Sequence, residues 1–186
     1  MECLFNSISE FISPEIVSNI SKILNEKESN IIQALHTTTA SILELILEKG
    51  EQKKLESIFK GIGTMNILFS VSNLFLDPTN LKKHCASSKF LIFLLKDRLE
   101  EYYSLIASSS QISIVNSKNI VNKLGLLISA FLGEKIISNI SYVTILNQLQ
   151  DERNDFQIYI PFEMSEILDE FNVKAYLEQK FWMSFF

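Results

Sequence analysis

The sequence predicts an all-α protein: multihelical, organised as two packed helix-pair units, with little or no sheet. Three observations carry that reading. Only five Gly and three Pro punctuate 186 residues, whereas all-β folds need many tight turns and the residues that make them. Apolar residues recur at helical spacing with polar residues on the opposite face. Capping and stop residues stand at the ends of those stretches. An apolar share of 47% and a charged share of 21% suit one hydrophobic core, and they exclude a disordered tail or a coiled-coil rod.

The first element follows from Ser13-Pro14-Glu15: a capping hydroxyl, a proline at the first helical position and an acid at the positive end of the helix dipole. Ile16, Ile20, Ile23 and Leu24 then share one face of a short helix. Asn25 with Glu28 has capping-box spacing, so it is expected to close this helix and open the next. The next carries Ile31, Leu35, Ile42, Leu43, Ile46 and Leu47 and stops at Lys49-Gly50. Thr37, Thr38 and Thr39 weaken it locally, because β-branched side chains lose rotamer freedom in a helix; burial has to compensate.

A comparable unit recurs. A helix over 97–107 carries Leu99, Tyr103 and Ile106, a Ser-rich turn follows, and a second helix from about Ser117 runs to a stop at Gly133. Between the units, 55–76 is apolar but interrupted by Gly61 and Gly63, and it closes on the turn signature Asp77-Pro78-Thr79-Asn80. The expected organisation is a helical domain over 1–150, with units at about 1–54 and 88–150 joined by a hinge region at 55–87. An acidic helical tail, 151–186, follows it. Within that tail, Phe156 to Ile160 alternates and is read as loop or a short extended segment, and Pro161 to Phe171 as helix.

No catalytic, cofactor-binding or metal-binding residue stands out, so neither an enzyme nor a cofactor is expected. His36 and His84 lack a carboxylate or cysteine at metal-ligand spacing; the first reads as a packed or surface histidine, the second as solvated. Gly61-Ile62-Gly63 is not a phosphate-binding fingerprint. Glu100-Glu101 and Asp151-Glu152 read as solvated faces, since adjacent residues on a helix point apart. Cys3 and Cys85 read as free thiols of a reducing compartment.

Charge and hydropathy narrow the partners. The eight acids and three bases of 151–186 account for the whole net charge of −5, and fourteen acids match fourteen bases in the rest. With only Lys53-Lys54 and Lys82-Lys83-His84 as basic clusters, a nucleic-acid surface is disfavoured. Phe90 to Leu95 and Leu126 to Leu132 are the most apolar windows and fall far short of the ~20 residues of a transmembrane helix. Met1-Glu2-Cys3 places an acid where a secretory signal carries positive charge. No signal peptide and a cytoplasmic location are therefore expected.

One stretch asks for a partner. Phe181-Trp182-Met183-Ser184-Phe185-Phe186 sets five large apolar side chains in six positions. Phe181, Trp182, Phe185 and Phe186 are the candidate interaction residues. At least two of these rings are expected to pack into a groove on their own body or on a second copy, because a fully exposed cluster would drive association.

The segments Leu4-Phe5 through Ile12-Ser13-Pro14-Glu15-Ile16-Val17, Leu24-Asn25-Glu26-Lys27-Glu28 and Leu47-Glu48-Lys49-Gly50 together resemble the YidB-like bacterial family, domain of unknown function 937. Leu95-Lys96-Asp97-Arg98-Leu99 and Ile106-Ala107-Ser108-Ser109-Ser110 are similar to the second unit of its longer members. The resemblance implies a YidB-like helical domain over 1–150 with a homeodomain-like arrangement, and neither an established catalytic residue nor a ligand. The expected function is a bacterial non-enzymatic protein-interaction or scaffold domain. The alternatives are a DNA-binding helix-turn-helix module, which that arrangement implies, and the cytoplasmic part of an envelope-associated protein.

Overall fold

The structure, a computed structural model, describes residues 3–76 and 81–168. Their regular elements are all helical: α1 (Leu4–Glu10), α2 (Pro14–Leu24), α3 (Glu28–Lys49), α4 (Lys53–Gly63), α5 (Val71–Leu76), α6 (Leu81–Leu95), α7 (Leu99–Ser110), α8 (Ile114–Ile137), α9 (Tyr142–Asp151), α10 (Arg153–Gln157) and α11 (Ser165–Leu168), with single 3-10 turns before α5, α7 and α11. No strand occurs among the described residues, and no helix among them is long and apolar enough to cross a membrane. The all-α, multihelical class is the one the sequence predicts.

Two long helices organise the bundle. α8 packs against α4, α6, α3 and α7, and α3 packs in addition against α2, α9, α10 and α11. α8 is buried nearly all round, from Ile120 through Gly133, so its apolar residues do not form the single stripe of a surface helix. Its polar groups are satisfied locally. Ser117 Oγ donates to the Tyr103 carbonyl at 2.7 Å and Ser129 Oγ to the Gly125 carbonyl at 2.7 Å, while the buried Lys123 ammonium donates to the Phe75 carbonyl at 2.6 Å. Thr37, Thr38 and Thr39 of α3 are all buried, which is the compensation their poor helix propensity requires. Beside them, the Ser41 hydroxyl donates to the Thr37 carbonyl at 2.6 Å and pairs with the Tyr102 hydroxyl at 2.6 Å.

Several boundaries follow the expected chemistry. Ser13 Oγ accepts from the Ile16 amide at 3.3 Å ahead of Pro14, and α3 ends at Gly50 with φ +59°. Others differ. Asn25 does not open α3; it closes α2 in the left-handed conformation, φ 53° and ψ 47°, while α3 starts after Lys27 with no side-chain cap. Glu26 is instead spent on a distant helix start, its Oε1 accepting from the Ser113 amide at 3.0 Å and Asn116 Nδ2 at 2.8 Å. The serines after Ala107 finish α7 rather than forming a turn, because Ser108 and Ser109 hydroxyls bond back to the carbonyls of Leu105 and Ile106 at 3.1 and 3.3 Å.

α8 begins at Ile114, capped by Ser113, and runs through Gly133 to Ile137. Gly133 is thus not a helix stop but a point of backbone contact. A Cβ there would lie 2.0 Å from the Phe59 carbonyl oxygen, and one at Gly63 would lie 2.6 Å from the Gly133 carbonyl carbon. The stretch read as a hinge, 55–87, accordingly contains most of α4, all of α5 and part of α6, and each of these helices packs on α8. The alternating segment 156–160 is not extended: α10 holds its first two residues, and the amides of Tyr159 and Ile160 close a turn onto the carbonyls of Phe156 and Gln157 at 3.1 and 3.0 Å. Phe156 is fully buried there, and among the described residues there is no strand to pair with.

These contacts make opposite demands on two glycines. Gly133→Ala is expected to destabilise the protein by about 1–3 kcal/mol through overpacking against the α4 backbone. Gly61→Ala, whose Cβ would meet nothing within 4 Å, should stabilise it by about 0.5–1 kcal/mol through helix propensity. Urea denaturation followed by circular dichroism reads both; equal effects would sink the close-approach argument.

Candidate interaction surface

The N-terminal half of α3 turns Ile31, Ala34 and Leu35 into the core and leaves Ile32 outside, 42% exposed, with the half-buried His36 one turn further on the same face. These two side chains form a ridge between two clefts. On one side, a cleft of about 260 Å³ is walled by Ser9, Ile12, Pro14 and Val17 from α1, α2 and their connection. On the other, a cleft of about 490 Å³ is walled by Ile158, Tyr159, Ile160 and Pro161, with Ser29, Gln33 and Thr37 along the α3 side. Ile158, which lines the second cleft, is 76% exposed. The second cleft falls within the roughly 300–1,000 Å³ usual for a ligand pocket and the first below it.

A ring cluster fixes the ridge. Phe5 stacks on Tyr159 with centroids 5.2 Å apart, and His36 lies 4.8 Å from the Tyr159 ring and 6.1 Å from that of Phe5. Burial among these rings lowers the His36 pKa, because the charged imidazolium loses its hydration.

The far wall is held by charge. The Glu44 carboxylate, buried in α3, accepts from Nη2 and Nε of Arg153 in α10, the latter at 3.2 Å, and from Gln157 Nε2 at 3.3 Å. One residue earlier, Glu152 accepts from the Leu4 amide and from Gln148 Nε2, each at 2.7 Å. Arg153 and Gln157 thereby tie α10, which leads into the 158–161 turn, to α3, and Glu152 ties its start to α1.

The titratable groups among the cleft-lining residues are His36, Tyr159 and Glu28. Among the described residues, no group of three or more His, Cys, Asp or Glu side chains could hold a metal ion. His36 is a packed histidine, in a ring environment its sequence neighbours do not disclose. Cys3 and Cys85 are free thiols. Phe181, Trp182, Phe185 and Phe186 lie outside the described residues, as does the side chain of His84. The second cleft escapes the sequence, because its walls come from segments more than a hundred residues apart; the first is built from residues 9–17 and 28–39. The one available signal was Ile32, an apolar residue off the Ile31-Leu35 stripe.

Comparison with family models, curated proteins and solved structures finds no match to this chain.

Two measurements test this geometry. Arg153→Met leaves the Glu44 carboxylate buried without its ion-pair partner, so it should cost about 3–5 kcal/mol, and Glu44→Met added to it should recover most of the loss. Non-recovery would mean that the pair does not hold the wall. His36 has a folded pKa below its unfolded value, about 6.5, so the unfolded state binds more protons and stability falls as pH drops below that value. His36→Gln should flatten the pH dependence of urea stability in that range relative to wild type; identical slopes would place His36 in solvent.

Proposed function

We propose that this chain is a non-enzymatic protein-interaction or scaffold domain whose contact surface is the pair of clefts flanking Ile32 and His36. The observation that carries the reading is the exposure of Ile32 and Ile158 in those clefts. Large apolar side chains gathered on a concave surface are what an interface needs at its centre. A groove that follows one helix and is apolar at its floor suits an amphipathic helix or another apolar peptide segment. Among the described residues no Lys or Arg lines either cleft, which favours such a partner over a phosphate backbone.

Two free thiols support a reducing, cytoplasmic setting. The YidB-like resemblance supplies neither a ligand nor a reactive residue, and the reading does not depend on it.

The test is affinity capture with the full chain. Proteins retained by the wild type should be lost with the double variant Ile32→Asp, Ile158→Asp and kept with Val115→Asp, which places the same charge at an exposed residue that lines neither cleft. Retention of the same proteins by all three would rule this surface out.

A further inference from the structure

We infer that the outward face of α4 and α6 is a second docking surface, and that its partner is an anionic lipid bilayer on which the chain rests peripherally. No residue lining the clefts beside Ile32 and His36 belongs to either helix, so the inference goes beyond the reading of those clefts and stands or falls separately from it.

The first argument is charge. Residues 53–96 hold seven lysines against two acids, Glu56 and Asp77, a net of +5 in a chain whose total is −5. The fold turns that run into a surface. Lys54 Nζ lies 5.3 Å from the centre of the Phe93 ring, and the Phe59 and Phe90 rings are 5.6 Å apart. These two contacts set α4 antiparallel beside α6, and both helices pack on α8. Lys53, Lys54 and Lys60 of α4, Lys89 of α6 and Lys96 just beyond it are all exposed. Lys60 is paired with Glu56 at 2.7 Å; among the described residues, the other four have no carboxylate at ion-pair distance. Glu51 and Asp97, also exposed, flank the run in sequence.

The second argument is what stands among the lysines. Ile92, one helical turn from Lys89, is 54% exposed, and Phe93 is half-buried beneath Lys54. Apolar side chains bordered by lysines match the headgroup boundary of a bilayer, where the apolar part enters the acyl edge and the long ammonium stems reach back to phosphates. The third argument is the kind of cation. The run 53–96 contains no arginine. Protein interfaces are enriched in Arg, whose planar fork grips a carboxylate at two points, and depleted in Lys, whereas a flexible point charge suits the diffuse field of an anionic leaflet. A nucleic acid would supply phosphates but no apolar layer for Ile92 to enter. Each lysine at such a leaflet is worth about fivefold in affinity, so attachment is graded by the lipid's charge and reversible.

Sedimentation of the full chain with sucrose-loaded vesicles is the test. The protein should pellet with vesicles of equal parts phosphatidylserine and phosphatidylcholine, stay in the supernatant with phosphatidylcholine alone, and be released as salt rises, because exposed charges are screened. The double variant Lys54→Glu, Lys89→Glu should lose at least about tenfold in partitioning. Lys22→Glu, Lys27→Glu makes the same change of charge at exposed lysines of α2 and the head of α3 and should lose no more than about twofold. Ile92→Ser alters no charge and should weaken binding severalfold. All five positions are exposed, and circular dichroism should show every variant folded. Absence of binding to either vesicle, equal binding to both, or equal losses in the two charge-reversed variants overturns the proposal. Unchanged partitioning of Ile92→Ser overturns it as well, since lysines alone would hold to any anionic surface. So does retention on immobilised polyglutamate that depends on Lys54 and Lys89 while vesicles are ignored, which would assign the face to an acidic protein instead.

Discussion

Where α4 crosses α8, backbone meets backbone: the Phe59 carbonyl oxygen sits 2.0 Å from the place a Cβ of residue 133 would take, and the Gly63 Cα is 2.9 Å from it. That approach positions what lies around it. The Phe59 ring, fully buried, packs 5.6 Å from Phe90 of α6 and 5.8 Å from Tyr142 of α9, and the Tyr142 hydroxyl reaches back to the Gly50 carbonyl at 3.2 Å. A second glycine of α8, Gly125, gives α6 its seat, with Leu91 within 3.2 Å of a notional Cβ. Protein interiors are packed densely enough that one added methyl at such a point has to move a helix.

The interaction surface exists because α3 is fastened at two places and left open between them. At its start, Glu26 ties the α2–α3 turn to the Ser113 amide and the Asn116 side chain at the head of α8. Further along, Glu44 holds α10 through Arg153 and Gln157. Between these fastenings, one flank of α3 is covered by α2 and the other by the 158–161 turn, and neither covers Ile32. A buried ion pair is a costly way to attach a helix, since desolvation consumes much of the attraction. Its geometric specificity is what it adds here, because it fixes the register of the wall against the ridge.

Local chemistry made the helices legible, and non-local contacts explain what was not. Ser13-Pro14-Glu15 and Lys49-Gly50 announce a helix start and a helix end through groups within a few residues of the boundary, and both behave as read. Gly133 carries the same local signal as Gly50, yet its role is set by Phe59, seventy-four positions away. Asn25 and Glu28 have the spacing of a capping box, but Glu26 is drawn to Ser113 and Asn116, and the asparagine is left to turn the chain. Phe156 to Ile160 alternates like a strand because one ring faces the core and its neighbours face water, a pattern that a single helical turn followed by a tight turn reproduces. The cleft beside the 158–161 turn was illegible for a related reason: no short window of sequence contains both of its walls.

The closure between α1 and α10 bears on how the protein is made. Leu4 donates to Glu152, and Phe5 lies beside Phe156 and Tyr159, so α1 rests on a helix translated well after it. α3 is in the same position, because α8, which covers its inner face, and α10, which neutralises Glu44, are both translated after it. About a hundred residues separate the end of α3 from Arg153, which at ~5–20 residues per second amounts to roughly five to twenty seconds of synthesis. Throughout that interval the nascent chain carries Glu44 without the guanidinium that pairs with it in the native bundle.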